Sequence, residues 1–481
     1  MEQFKQHGTP TVLTANSVIS AGNGAITLGG TVNGAFTLDV NTTGTTTFSG
    51  VIGGSTALTS LTTNAGGTLA INTTAISTTG AQIFNENATL GADLTLTSSS
   101  SGNITFGGTI ESTTSARALI INTSGTTTFS GTVGATLPYL ASVTTNAGGT
   151  TAINGGSVRT TGAQTYNDNV TLGANTTLTA TTVSFGGTLD STTSARDLTF
   201  GASTGTATFT GAVGSTLALG TITNVASQQL TFSDGVAATT IANYGTLLFN
   251  ATSAKTIAAN ITDNGTTVVQ VINNSDSTIS LITFSGTVAA DTITVGSSAK
   301  SGSALFNAAV SGTNINIVGG DATLSAENSQ ATFADTVTVT AISLDNNAST
   351  ATVTFSGTGK TITGTINGAA AGEGTINVTG TPTFASTIGN SFRPAQLTIG
   401  GATTFQAAVS TTLLTTTAAI SNGTTLDVSG ASSIGANVTT SSTQLYTGAI
   451  TLTANATLAG STITNSSTIT GATFSLTETG N

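Results

Sequence analysis

Apolar and polar positions alternate along most of this chain, and the alternation has a period of two. "TVTVTAISL" at Thr336–Leu344 starts in strict alternation, as does "TNINI" at Thr313–Ile317. This pattern sends one set of side chains to one face of a strand and the other set to the opposite face. Val, Ile, Leu and Phe set among Thr suit a half-buried pleated surface. Thr and Gly interrupt every window, so no apolar 3.6-residue period survives for three turns and helices are not predicted. Turns fall at "AGG", "NGT", "SGT" and "GNG", where Gly and Asn accept positive φ. Pro occurs only four times, as expected of interior strands whose backbone donors are all engaged.

The strands belong to repeats. "TTTFSG" stands at Thr45–Gly50 and again at Thr126–Gly131, and "TGAQIFNENATLGADLTLT" from Thr79 matches "TGAQTYNDNVTLGANTTLT" from Thr161 at 13 of 19 positions. "LTTNAGGT" from Leu61 returns as "VTTNAGGT" from Val143, and "FGGTIESTTSAR" from Phe106 as "FGGTLDSTTSAR" from Phe185. A diverged copy, "QLYTGAITLTANATL", starts at Gln444. Within this long unit a shorter period recurs. From Phe185 the phenylalanines in similar settings are Phe209, Phe232, Phe249, Phe284, Phe306, Phe333, Phe355, Phe384 and Phe405. Most of their separations are alike. The longest, between Phe249 and Phe284, reads as a coil and a half or a missed rung.

Such periods signal solenoids, and the long unit, roughly 80 residues, reads as about four coils of roughly 20 residues. The fold class predicted is all-β: a single elongated right-handed parallel β-helix with coils of about 20–22 residues, the hand following from the general preference of parallel crossovers. Residues 1–20 read as an irregular N-terminal segment and 21–481 as a continuous solenoid. The super-repeats are clearest in 26–230, with the diverged copy in 395–470. About 22 coils at ~4.8 Å each make a rod of about 100 Å. Each Phe becomes a rung of an aromatic ladder in the core, the flanking Thr point outward, and the following Gly or Ser makes the corner.

Composition narrows the function. Only 6% of residues are charged, against about 25% in typical soluble proteins. Gly contributes 59 residues, and there is no Trp, no Cys, one Met and one His. At 37% hydrophobic the chain is not a disordered low-complexity tract. Net charge is −11, and the cations Lys5, Arg117, Arg159, Arg196, Lys255, Lys300, Lys360 and Arg393 are scattered singly. No basic stripe exists to neutralise a phosphate backbone, so nucleic acid is not an expected partner. Zero cysteine excludes a disulfide scaffold and thiolate chemistry. No apolar run of about 18 residues predicts a transmembrane helix, and "MEQFKQHGTP" shows no signal peptide, which leaves the export signal to be sought outside this chain.

Candidate chemistry is sparse. The single His7 lies before the repeats, so neither a Ser–His–Asp triad nor a His-ligated zinc site can be drawn within them. The longest acidic cluster, Asp321 with Glu327 and Asp335, spreads over 15 positions. Calcium-repeat, EF-hand and phosphate-loop patterns are absent. The repeated Asn64 and Asn146, Asn85 and Asn167, and Asn87 and Asn169 read as structural ladders between coils. Glu111 with Arg117 and Asp190 with Arg196 read as loop salt bridges, each worth at most ~1 kcal/mol if exposed. Sequons at Asn72, Asn87, Asn169, Asn260 and Asn455 arise by chance where Thr is so abundant, and irregular coil lengths argue against a long ice-matched "TxT" array. No catalytic, cofactor-binding or metal residue is assigned.

The stretch "TTNAGGTTAINGGSVRTTGAQTYNDNVTLGANTTLTATTVSFGGTLDSTT" from Thr144 resembles the β-strand repeats of very large bacterial surface proteins, of the filamentous-haemagglutinin and autotransporter-passenger kind. "TFSGTV" and "LTLTAN" extend the likeness over most of the chain. The resemblance implies a right-handed β-helix exported to the bacterial cell surface, with adhesive or coat-forming roles. The expected function is that of an extracellular, non-catalytic adhesin stalk or surface fibre. Its partners would be cell-surface or extracellular-matrix components, or copies of itself. A self-assembling surface-layer or sheath subunit is the alternative, and a polysaccharide-active β-helix enzyme a distant third.

Overall fold

The computed structural model describes residues 4–480 apart from 7, 273–279, 322–327 and 472. Every regular element among the described residues is a strand, and the strands pair in parallel with those of the neighbouring coil. They stack as a β-solenoid of about 21 turns. Contacts divide the chain into two units, Met1–Thr239 and Thr240–Asn481.

In the first unit each coil has three faces, each carrying a strand or, at Ile52, Val133 and Val213, a single bridged residue. Equivalent inward residues form three columns. One runs Val40, Thr63, Phe84, Phe106, Phe129, Ile153 and Leu172. A second runs Leu28, Phe48, Ile71, Leu90 and Ser112. The third runs Leu96, Ile121, Thr145, Tyr166, Phe185, Phe209 and Phe232. Inward residues are buried and their neighbours partly exposed, as the period-two pattern predicts.

The columns sharpen the expected figure of about four coils per super-repeat. Four coils lead from Thr63 to Ile153. The repeat instead carries Thr63 onto Thr145, short of Ile153 and in a different column. Eleven strand positions, counting the stretch bridged through Val133, separate Ser60–Thr63 from Ser142–Thr145. With three such positions per coil, one repeat spans three and two-thirds coils, and its next copy starts one face further round. Thr63, Phe84, Phe106, Phe129 and Ile153 succeed one another at widening separations, so four coils take up more chain than one repeat supplies.

The aromatic ladder is therefore several short stacks. Phe84, Phe106 and Phe129 stack on one face and Tyr166, Phe185, Phe209 and Phe232 on another, with centroids 4.7–6.1 Å apart. In the second unit Phe284, Phe306, Phe333 and Phe355 stack at 4.9–5.8 Å. Phe249 belongs to another column, facing Val271, and meets Phe284 edge-on at 5.2 Å and 87°. That change of face explains the long interval between Phe249 and Phe284. Phe384 and Phe405 form a further stack, entered edge-on from Phe355 at 90°. Beyond it the coils shorten: Ile399, Thr416, Ile434 and Leu452 succeed one another at closer spacing than the Phe rungs of this unit.

Among the described residues of 1–20, the segment expected to be irregular, three short strands form. Phe4–Gln6 pairs with Ile26–Leu28, Thr11–Val12 with Val32–Asn33, and Ser17–Ser20 with Leu38–Asn41, so a coil already forms there.

Candidate functional site

The repeated asparagines bind coil to coil with the same partners in each copy. Asn64 and Asn146 accept from the backbone N–H of Thr42 and Thr123 at 2.7 and 2.8 Å. The Asn85 and Asn167 amides donate to the carbonyls of Thr63 and Thr145. Asn87 and Asn169 accept from the N–H of Thr109 and Thr188. These are corner ladders that satisfy backbone groups which turns would otherwise leave open.

The expected ion pairs of Glu111 with Arg117 and of Asp190 with Arg196 do not form. Both carboxylates hold a loop of the next coil instead. Glu111 accepts from the N–H groups of Ala135 and Thr136 at 3.1 and 3.0 Å, and Asp190 from Thr216 N–H at 2.7 Å. Asn33 takes Ser55 N–H and Asn367 takes Ser391 N–H in the same way. Four homologous loops are thus stapled by a side-chain acceptor from the coil before. Each loop opens on a glycine with positive φ: Gly53, Gly134, Gly214 and Gly389, at 65–71°. A Cβ at any of them would lie 2.0–2.1 Å from the carbonyl oxygen of Ser77, Arg159, Ala237 or Ser410. Only glycine fits such a position. The signal legible in sequence was Val/Ile-Gly at 52–53, 133–134, 213–214 and 388–389.

Those glycine contacts fix which residues correspond, and they expose one loop as unusual. Just before Leu58, Leu140 and Leu219 stand Ala57, Tyr139 and Ala218. Against the three glycines stand Ser77, Arg159 and Ala237. Two copies carry small residues at both places; one carries Tyr and Arg together. The Arg159 guanidinium carbon lies 3.8 Å from the centre of the Tyr139 ring, a cation–π stack. The pair lines a groove of about 210 Å³ together with Thr160, Thr161, Thr179, Ala180, Thr181 and Ser203. A groove of similar size in the second unit, about 190 Å³ beside Gln396, Leu413 and Thr415, has no charged lining residue.

Two buried acids also recur. Glu86 and Asp168 correspond in the repeat and both lie in the core. Glu86 Oε2 accepts from the Thr63 hydroxyl and Oε1 has no partner. Asp168 accepts from Gly149 N–H at 2.8 Å and from the Thr151 hydroxyl at 3.1 Å. Burial pushes both carboxyls above their ordinary range, against the lowering effect of these hydrogen bonds.

Among the described residues no group of three His, Cys, Asp or Glu could hold a metal ion. Of the acidic cluster, Glu327 lies outside the described residues, as does His7. Asp335 pairs with Lys360 at 2.8 Å, which holds its carboxyl below the usual range. Among the described residues no helix is long and apolar enough to cross a membrane. Comparison with family models, curated proteins and solved structures finds no match.

Proposed function

We propose that this chain is an extracellular, non-catalytic structural solenoid of a bacterial surface protein, an adhesin stalk or surface fibre. The observation that carries the reading is the outer surface. In the second unit Thr332, Thr354, Asn377, Thr398, Thr415 and Ser433 succeed one another in register on one face. In the first unit Thr144, Thr165, Ser184, Thr208 and Thr231 do the same. Rows of neutral hydroxyls and amides offer many weak, identical contacts, and repetition converts weak contacts into avidity. The sequence resemblance to filamentous-haemagglutinin and autotransporter-passenger repeats supports the same reading.

The test is adhesion of the purified chain to cells and to immobilised matrix components. Comparison is with a variant carrying Thr354→Lys, Thr398→Lys and Thr415→Lys, which breaks one row with like charges. Adhesion should fall while the fold remains. Turnover of a polysaccharide would contradict the non-catalytic part of the reading. Filaments or sheets without adhesion would favour a self-assembling coat subunit instead.

A further inference from the structure

We propose that the groove beside Tyr139 and Arg159 is a discrete binding site for the carboxylate-bearing ring of an acidic saccharide. Arg159 would take the carboxylate, and Thr179, Thr181 and Ser203 the ring hydroxyls. The site is independent of the adhesive rows and stands whether or not those rows bind anything.

Four observations converge on it. The first is the departure from the repeat. In a chain that reuses its loop three times within one unit, both large residues appear in the same copy and touch. Ala57 with Ser77, and Ala218 with Ala237, show that the fold needs neither of them.

The second is the state of the arginine. Its side chain makes no hydrogen bond or ion pair with any described residue, while Arg393, in the fourth loop, is held bidentately by Asp427 at 3.1 and 2.5 Å. Arg159 therefore presents a planar fork already oriented by the Tyr139 ring. That fork matches a carboxylate in two parallel hydrogen bonds, and its stacking reduces the rotamer freedom lost on binding.

The third is the lining. The Thr160 hydroxyl is engaged with Gly162 and that of Thr161 with Leu140. Those of Thr179, Thr181 and Ser203 make no hydrogen bond within the described protein and remain for a ligand. A carboxylate receptor beside a wall of free hydroxyls suits a polyhydroxylated acid better than an apolar one.

The fourth is size. At about 210 Å³ the groove is smaller than the roughly 300–1,000 Å³ of sites that enclose whole drug-sized ligands. It admits one ring or one chain end and leaves the rest of a polymer outside.

The probe is glucuronic acid, titrated into the full chain and followed by ligand-observed NMR, with glucose and acetate as comparisons. Glucuronic acid should bind, and glucose and acetate each more weakly. Arg159→Ser should weaken glucuronic acid about tenfold to a hundredfold, the effect of losing hydrogen bonds to a charged group. Arg159→Lys should also weaken it, because the charge remains while the fork and stack are lost. The double variant Tyr139→Ala with Arg159→Ser installs the residues of the first loop, so its melting temperature should match that of the parent. If it does not, Arg159→Lys carries the test of binding. Equal binding of acetate, undiminished binding to Arg159→Ser or Arg159→Lys, or no binding of glucuronic acid to the parent would each overturn the proposal.

Discussion

Phe84 and Tyr166 occupy the same place in two copies of one sequence unit, and they differ by a single oxygen. Two residues earlier stands a glutamine buried in each copy, Gln82 and Gln164. Each donates its amide into the turn ahead and the coil beyond: Gln82 to the carbonyls of Ile76 and Thr97, Gln164 to those of Val158 and Thr179. In the second copy the Tyr166 hydroxyl donates to Gln164 Oε1 at 3.1 Å. The diverged copy repeats this with Tyr446 and Gln444 at 3.0 Å. In the first copy Phe84 has no hydroxyl, and Gln82 Oε1 is buried without a partner. The first two copies also lie on different faces, so the local bonding is carried by the sequence unit and not by the face it lands on.

Of the changes this contrast suggests, those in the aromatic stacks should cost most. Phe209 is stacked on both sides, at 5.0 Å from Phe185 and 4.7 Å from Phe232. Its counterpart Phe129 has an aromatic neighbour on one side, at 6.1 Å, and Ile153 on the other. Phe209→Ala should cost about 3–5 kcal/mol in denaturant unfolding. Phe129→Ala should cost less, by about 0.5–1.5 kcal/mol for each of the two aromatic pairs it lacks, a second stacked ring and the ring of Phe200, which meets Phe209 edge-on at 6.2 Å. Equal losses would show that stacking adds nothing to burial here.

Next comes the tyrosine. Tyr166→Phe recreates the first copy in the second and leaves Gln164 Oε1 unpaired in the core. It should lose about 1–3 kcal/mol. The reverse change, Phe84→Tyr, should gain about 0.5–1.5 kcal/mol by supplying the missing donor. A loss on Phe84→Tyr would mean that the first copy has no room for the hydroxyl.

The buried acids should matter least. A carboxyl whose folded-state pKa is raised contributes stability that is fully present below its ordinary pKa and lost as pH rises through the raised value. Glu86→Gln should therefore be more stable than the parent at pH 8, with the difference vanishing near pH 4. Asp168→Asn should gain less, because its carboxylate already accepts from Gly149 and Thr151. Melting curves at both pH values check the order. Greater stability of the parent at pH 8 would contradict it.

The strands, their inward sets and the Phe rungs were legible because period two and a repeated Phe are local signals. The phase of the super-repeat was not. Whether one repeat makes four coils or three and two-thirds depends on loop lengths such as Gly134–Leu140, which add residues without adding a strand. The asparagine ladders were legible from their repetition in matching settings. Glu111 and Asp190 were misassigned because sequence proximity to an arginine suggested a partner, whereas the donors they meet in space are backbone N–H groups of the next coil. Tyr139 and Arg159 carried a signal that passed unused: they interrupt a repeat where all other copies within the unit are small.

The central structural claim is that the repeat advances by three and two-thirds coils, so its copies fall on successive faces. The direct measurement uses the absence of native cysteine. Thr128 and Ala152 are partners on adjacent coils, whereas Ala147 lies close to the spacing from Thr128 that four equal coils per repeat would impose. A short thiol cross-linker should join Thr128→Cys to Ala152→Cys rapidly and fail to join Thr128→Cys to Ala147→Cys. Efficient linkage of the second pair and not the first would place the copies in phase and contradict the account.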